Sequence, residues 1–561
     1  MLITTPPSSA DYVVVGGMGH GGTVARLAAQ STGPKSRHPG HRGRAGSSRA
    51  PIDWNSFWSI YRRGSDIDWS YKSIPQKQLN NRVIPLSAGK VLSGATAINY
   101  GLWLRGPVAD YARWAELVGD RAWSYESLLP YFRRLEKHHD PEADAEQHGF
   151  EGVMHTMSPS HSDPIRKFPL STLQEDAWRE LGTERIRDQN AGHPLGLAEI
   201  VENWRDGIRQ PVSAILDLSN VRILLGTTVH RVVVDDVTGV KRATGVQLAN
   251  GDIIQAKREV ILSTGSYRTP QVLMLSGIGP ASELQKHGIK IQVDSPEVGR
   301  NYHDHLTVSC YWRVCHPEQG VAVGHPLWAE NKALEKEQPY DLLAYHQAPP
   351  EVIREALAAS RVDGSSREMD RQQLEAPNRV HTETVVAYCP IAKMGAFPFD
   401  GTIITSSVLL MQPTSRGVIT LASADPEAHP LIDCRFHTTA SDRAIVRHGL
   451  RQMLRLMQGT KGGQAMVEPV DILAQGESHL RFDTSTDDDL DARARDAGEI
   501  WNHPAGTAAM GTVVDSKCRV VGVSGLRVVD ASILPLPISS HYMVAIYTVG
   551  ARVADFIADE A

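Results

Sequence analysis

Residues 11–30 read DYVVVGGMGHGGTVARLAAQ: an apolar run, a cluster of glycines, then a stretch of helix-forming composition. Tyr12, Val13, Val14 and Val15 are aromatic or β-branched with no polar break, the composition of a parallel strand covered on both faces. Gly17, Gly19 and Gly22 follow in G-x-G-x-x-G spacing. Between a strand and a helix, such glycines let the backbone turn tightly and approach a pyrophosphate, whose charge then rests on the first N–H groups of the helix. The segment predicts the opening β-turn-α of a dinucleotide-binding fold. Glycine turns of this kind also occur without a nucleotide, so the motif alone does not assign a ligand.

Such a fold needs a second apolar strand ending in an acid that holds a ribose. Residues 31–50, STGPKSRHPGHRGRAGSSRA, contain no acid and almost no apolar side chain. That is the composition of a disordered loop, or of a stretch read from a wrong frame or splice choice. A ribose without this acceptor forgoes a charge-assisted hydrogen bond of about 1.5–3 kcal/mol. Order returns further on. Residues 221–234 (VRILLGTTVHRVVV) predict paired strands joined at Gly226. Residues 245–254 predict a hairpin with a type I′ turn at Asn250-Gly251, and 260–263 another strand. Charged helical stretches NKALEKEQ (331–338) and PPEVIREALAASR (349–361) mark a second region. Its sheet is expected from TIITSSVLLMQP (402–413) and GVITLAS (417–423), with a helix over 441–458 whose Met and Leu stripe is core.

At 561 residues the chain exceeds what one hydrophobic core organises, so two substructures are expected. The net charge of -6 offers nothing to a nucleic acid. Five cysteines without C-x-x-C spacing argue against a zinc site and against a secreted disulfide framework. No run approaches the roughly eighteen apolar residues of a membrane span, and the first residues lack the basic and apolar pattern of a secretion signal. The expectation is a cytoplasmic protein without a metal, without a membrane or nucleic-acid partner.

Three further segments carry a resemblance that spans nearly the whole chain. They are GKVLSGATAINYGLWLRG (89–106), GSYRTPQVLMLSGIG (265–279), and WNHPAGTAAMG (501–511) followed by VVDAS (528–532). In this order and spacing they resemble the glucose-methanol-choline oxidoreductases. The resemblance implies a mixed α/β protein: a Rossmann-like FAD-binding domain, discontinuous over 1–170, 205–305 and 500–561, and a substrate domain of antiparallel sheet and helices over 171–204 and 306–499. It implies FAD contacts at Gly17, Gly19 and Gly22, at Gly89, Ser93, Gly94, Thr96 and Asn99, at Val229 through its backbone, and at Asp530 and Ala531. The 265–279 segment reads as a helix with Thr269 as cap, Pro270 as first residue and a stop at Gly277 and Gly279.

By the same resemblance His503, in the HPxGT pattern, is the proposed base, and His541 stands where relatives carry a second histidine or an asparagine. The chemistry agrees: an alcohol gives up hydride readily only as its hydroxyl proton leaves, and a neutral imidazole suits that proton. A second imidazole can hold the developing alkoxide. Tyr100, Trp103 and Trp501 are candidate walls of the substrate cavity. Asp304 and His305 read as a structural pair rather than a dyad, and Arg416 as an ion-pair partner. The expected activity is FAD-dependent oxidation of a small-molecule alcohol, aryl or secondary-metabolite in type. The competing reading is a noncatalytic scaffold of the same fold with a damaged cofactor half. Gly17 also matches the phosphate pattern only after a one-residue shift, with Met18 where a glycine is usual.

Overall fold

The run at 12–15 forms the strand Ser9–Val15, the first long element of a computed structural model that describes residues 2–16, 64–362, 368–391, 396–473 and 476–560. Gly17, Gly19, Gly22 and residues 31–50 lie outside the described residues. Ser9–Val15 pairs in parallel with Ile253–Leu262, which pairs on its other side with Leu526–Val528. The register aligns Val15, Leu262 and Val528, so the three carboxyl ends finish level. Ligands of open α/β sheets bind at that edge. The other half of the sheet is antiparallel, through Val240–Leu248 and Val229–Val237.

The hairpin at 245–254 forms, but its turn is not type I′. Gly251 has φ +90° and donates to the Leu248 carbonyl, while Asn250 keeps negative φ. This is the three-residue loop of a type I turn followed by a left-handed glycine. The mirror-image turn occurs one hairpin earlier, at Thr238 (φ +54°) and Gly239 (φ +85°) between Val237 and Val240. The run 221–234 also differs from expectation. Its halves do not pair with each other: Ile223–Leu224 pairs with Leu2–Ile3, and Val229–Val237 turns back through Thr238-Gly239 instead.

Among the described residues a second sheet runs in the order Gly476–Glu477, Val467–Leu473, Leu306–Val314, Ile403–Leu410, Thr382–Ala387, Leu342–His346 and Gly196–Glu199, with Glu499–Ile500 pairing on Leu306–Val314 as well. All these pairings are antiparallel. The strand-rich 417–423 stays out of it. Val418–Thr420 pairs with Leu431–Asp433 in a separate ribbon. The helix Ala440–Gly459 begins at Thr439, whose hydroxyl accepts from the Asp442 N–H, and buries Leu450, Met453, Leu454 and Met457 at helical spacing. Residues 332–335 make only a short 3₁₀ turn, whereas Pro350–Val362 is a full helix. Two apolar clusters result. One gathers Trp178, Trp204, Trp312 and Trp328 around the antiparallel sheet; the other gathers Trp103, Trp114 and Trp123 with the parallel strands. All five thiols are free. No helix among the described residues is long and apolar enough to cross a membrane.

The helix Gly265–Leu275 starts four residues before the expected cap, so Pro270 lies inside it. A proline there supplies no N–H to the carbonyl four residues back. That carbonyl, on Ser266, instead accepts the Thr507 hydroxyl at 2.7 Å. Thr269 is no cap; its hydroxyl donates to Asp530 at 2.6 Å. The missing helical bond thus becomes a tie between this helix and the 501–511 segment. Thr507→Val, which keeps the shape and removes the donor, should cost about 1–3 kcal/mol and lower the thermal midpoint; an unchanged midpoint would show that the tie is not needed.

Candidate functional site

His503 lies in the loop after Glu499–Ile500, and the segment 303–305 grips that loop. His303 and Ala505 exchange backbone hydrogen bonds at 3.1 and 2.9 Å, and the Trp501 N–H donates to the His305 carbonyl at 3.0 Å. The His503 N–H donates to the Asp304 carboxyl at 2.8 Å. Gly506, at φ +88°, makes the grip possible: a Cβ there would stand 2.3 Å from the Asn301 carbonyl oxygen. The glycine of the HPxGT pattern is therefore a requirement of close approach, not of flexibility.

His541 arrives from the opposite side, on the strap that leads into the helix Met543–Glu560. The strap is fixed by buried polar groups. Asp110 accepts the Ser539 N–H at 2.6 Å and pairs with Arg379, and the Ser540 hydroxyl donates to the Leu104 carbonyl at 2.8 Å. These elements bring the His503 and His541 rings to 4.7 Å between centroids, inclined at 64°. Each has a further partner. His541 Nε2 bonds the carboxylate of Glu383 at 3.0 and 3.2 Å, and His503 Nδ1 meets His305 Nδ1 at 2.9 Å. Glu383 stands on Thr382–Ala387, a strand buried along its whole length.

Electrostatics keep His503 neutral. Burial first, then the imidazoles of His541 and His305, hold His503 well below the usual histidine range. Burial, then His541, pushes His305 down to about 3. A neutral imidazole is the form that accepts a proton. Burial also pushes the Asp304 carboxyl up to about 8, against the N–H groups of His503 and His305.

The aromatic candidates divide. Tyr100 and Trp501 lie nearly parallel, 6.4 Å apart and 6° inclined, and Trp501 meets His541 edge-on at 6.4 Å. Trp103 is fully buried in the other apolar cluster against Tyr547, at 5.9 Å. Its side chain packs in that cluster, apart from Tyr100 and Trp501, and its backbone N–H donates to the Val201 carbonyl at 2.7 Å.

The segment at 89–100 forms a tight loop built on two glycines and a 3₁₀ turn at Gly94–Ala97. Gly89 and Gly94 pack so closely that a Cβ on Gly89 would stand 2.3 Å from the Gly94 oxygen, and Ala95 is exposed between the buried Ser93 and Thr96. The hydroxyls of Ser93 and Thr96 are turned inward, onto Ser213 and the Val212 N–H. Asn99 accepts from Arg209 at 2.8 Å and turns its amide toward the Met543 sulfur. Arg209 still has buried donors, Nε and Nη2, that no described residue satisfies, and burial lowers its pKa to about 9. The buried Asn502 Oδ1 is likewise unmatched. The orphaned donors of Arg209, which is tied to the glycine loop through Asn99, fit a flat polar ring. Asp530 is committed elsewhere. Its carboxylate takes the Gly265 and Ser532 N–H groups and the Thr269 and Ser532 hydroxyls, so it shapes the turn, while the Ala531 carbonyl accepts the Gly506 N–H. Val229 sits opposite Leu248 on the antiparallel part of the first sheet. Arg416 pairs with Asp370 at 3.5 Å and donates to Asn301 at 3.0 Å.

Glu383 and Tyr542 were not singled out in the sequence. An acid inside HTETVVAYC, between β-branched residues, was the available sign, since a buried carboxylate needs a partner. Apart from this site, Glu136, His138 and His148 lie close enough to suggest metal ligands. Arg105 already pairs with Glu136, and the two rings stack at 4.1 Å, a poor geometry for nitrogens converging on one ion. Burial would lower His148, but hydrogen bonds to Asp188 and Glu136 push it up to about 9, so the cluster is a charged network.

Family models described as GMC oxidoreductase match residues 10–307 and 413–550. The GMC-type oxidoreductase acuG of Aspergillus aculeatus is 39% identical over 496 residues, 87% of this chain and 89% of its own. The oxygen-dependent choline dehydrogenase of Rhizobium rhizogenes is 31% identical over 492 residues, covering 83% and 81%. A solved formate oxidase of Aspergillus oryzae RIB40, studied for its FAD modification, superimposes with a TM-score of 0.84 at 26% identity over 99% of both chains.

Asp304 makes the site's stability depend on pH. Its native value near 8 lies above the ordinary 3.8, so the native state holds the proton more tightly than the unfolded chain. Stability from this group is complete below the ordinary value and is lost as pH rises through the native one, at about 1.4 kcal/mol per pH unit. Between about pH 5 and about pH 8 the thermal midpoint of Asp304→Asn should therefore fall less than that of the unsubstituted protein; parallel slopes would contradict the assignment.

Proposed function

The chain belongs to the GMC oxidoreductase family, whose cofactor FAD it uses, and on that premise we propose that it oxidises an alcohol to a carbonyl compound, with His503 taking the hydroxyl proton and His541 holding the oxygen. FAD, when bound, supplies the hydride acceptor. The observation that carries the reading is the 4.7 Å approach of two imidazoles that each keep one nitrogen in reserve. His503 Nδ1 is occupied by His305 and His541 Nε2 by Glu383. His503 Nε2 and His541 Nδ1 are bonded by none of the described residues.

The division of labour follows from these partners. Nε2 of a neutral His503 accepts the proton as the carbinol carbon gives up hydride, so the alcohol loses two hydrogens and becomes a carbonyl. His541, carrying hydrogen on both nitrogens, gives Nε2–H to the Glu383 carboxylate and Nδ1–H to the substrate oxygen, and so supports the negative charge that grows there at little reorganisation cost. Tyr100 and Trp501, parallel and beside His541, suit a flat apolar substituent, which favours an aryl or similarly unsaturated alcohol.

His503→Ala should retain FAD and slow flavin reduction by alcohol by about 10² or more, measured by rapid-mixing absorbance. Undiminished reduction would remove His503 from the chemistry. Because the ring is held below the usual histidine range, reduction in the unsubstituted enzyme should stay level as pH falls from about 8 to about 6. A loss of rate centred near the ordinary value of 6.5 would show that His503 is not the group so held. Glu383→Gln, which keeps a hydrogen-bond partner but removes the charge, should lower the reduction rate about tenfold with a smaller effect on KM. An equal loss in KM alone would place Glu383 in substrate binding.

A further inference from the structure

We propose that Arg209 is the counter-charge for the reduced flavin: a buried guanidinium that meets the negative charge left on the ring by hydride transfer and so favours the reduced cofactor over the oxidised one. The inference rests on FAD being the cofactor and not on an alcohol being the substrate.

A short hairpin places the side chain. Trp204–Arg205 pairs with Ile208–Arg209, and Asp206 (φ +52°) and Gly207 (φ +75°) form the type I′ turn between them. Trp204 and Arg209 therefore stand directly opposite on one face, with the guanidinium over the indole at 4.6 Å. The hairpin is fastened to the 93–101 loop. The Trp204 indole N–H donates to the Tyr100 carbonyl at 3.0 Å, and a Cβ on Gly101 would stand 2.3 Å from that nitrogen. Just after the hairpin, the Val212 and Ser213 N–H groups donate to the hydroxyls of Thr96 and Ser93. Arg209 Nη1 itself donates to Asn99. Asn99 precedes Tyr100 and meets the sulfur of Met543, two residues after His541. Through Asn99 the guanidinium is thus tied to the elements that carry Tyr100 and His541.

Its charge has no answer in the protein. Among the described residues the other arginines no more than 4% exposed, Arg105, Arg166, Arg379 and Arg527, each meet a carboxylate. Arg209 meets none of the described carboxylates, and its Nε and Nη2 are buried without an acceptor. Burial lowers it only to about 9, so it stays charged at neutral pH. A buried cation without an anion is costly, and the reaction supplies the anion. Hydride brings two electrons and one hydrogen to a neutral ring and leaves one negative charge on it, while the proton of the substrate goes to a base. His503 and His305 are neutral, and His541 is matched by Glu383. Arg209 is then the cation beside the site with no acid of its own. A substrate carboxylate would satisfy the same donors, so the test contains no substrate.

The holoenzyme is titrated with sulfite, which adds to the oxidised ring and leaves negative charge on it, and its midpoint potential is measured against a reference dye. Arg209→Gln keeps a donor for Asn99 and removes the charge. It should fold and retain FAD, since the lost charge had no partner in the protein. Sulfite should bind about tenfold more weakly or worse, and the midpoint should fall by about 30 mV for each tenfold preference lost. Arg209→Lys, which keeps the charge, should recover most of both readouts. Unchanged sulfite affinity and midpoint in FAD-loaded Arg209→Gln would overturn the proposal and leave the donors to a substrate carboxylate. A Lys variant as impaired as the Gln variant would overturn it by showing that shape and not charge is required. Misfolding or loss of FAD in Arg209→Gln would overturn it too, because Arg209 would then serve the fold or hold the oxidised cofactor. Neither readout involves His503 or alcohol, so failure here leaves the proposed reaction standing, and an inert His503→Ala substitution leaves this role of Arg209 standing.

Discussion

Everything functional in this fold depends on the clasp between residues 301–305 and 501–507. It is a contact between backbones before it is one between side chains: His303 and Ala505 exchange hydrogen bonds, His305 receives the Trp501 N–H, and the Asn301 carbonyl fills the space where Gly506 has no side chain. Because 301–305 leads directly into Leu306–Val314 of the large antiparallel sheet, the clasp joins that sheet to the last segment of the cofactor half. Asp304 sits inside it, buried and shifted toward its neutral form, and so completes the clasp without leaving a bare charge between the two cores. The imidazoles gather where they do because each is attached to this joint or to the strap opposite.

That arrangement separates the chemistry into a part that is positioned and a part that is exposed. Behind each of the two facing imidazoles lies a fully buried partner, Glu383 for His541 and His305 for His503. A carboxylate in an all-buried strand is costly unless something meets it, and an imidazole held in one place by a buried acid is a dipole already oriented before substrate arrives. The same logic governs Asp110 and Arg379, which lie away from the reacting side but anchor the strap at Ser539. Buried polarity here specifies geometry, and the apolar clusters supply the stability that tolerates it.

Motif-bearing segments were the legible part of the sequence. The HPxGT loop, the Gly89 loop and the parallel strand at 9–15 announced themselves, because tight turns, close approaches and a β-branched run restrict residue type severely, although of that strand only Val15 is fully buried. Register and partner choice were less visible. Nothing in VRILLGTTVHRVVV states that its two halves pair with different strands, and GVITLAS has the composition of the sheet it does not join, since composition records burial but not the neighbour. Helix boundaries near proline misled for a related reason: Pro270 looks like a first residue until Thr507 is seen to occupy the carbonyl it leaves free. Glu383 escaped because its meaning lies in His541, 158 positions away along the chain.

The register of the parallel strands has a consequence for how the molecule is made. Val13, Val260 and Leu526 stand side by side, so the sheet draws one strand from the start of the chain, one from the middle and one from near the finish. During synthesis the first two must wait, one edge of Ile253–Leu262 uncovered, until Leu526–Val528 leaves the ribosome. Pairings between such distant segments form slowly, and an unpaired apolar edge is a site for wrong association. Helix packing around the antiparallel sheet can proceed meanwhile. His541, proposed above to hold the substrate oxygen, lies beyond that final strand, so a chain truncated or stalled late carries most of its mass folded but lacks one of the two facing imidazoles.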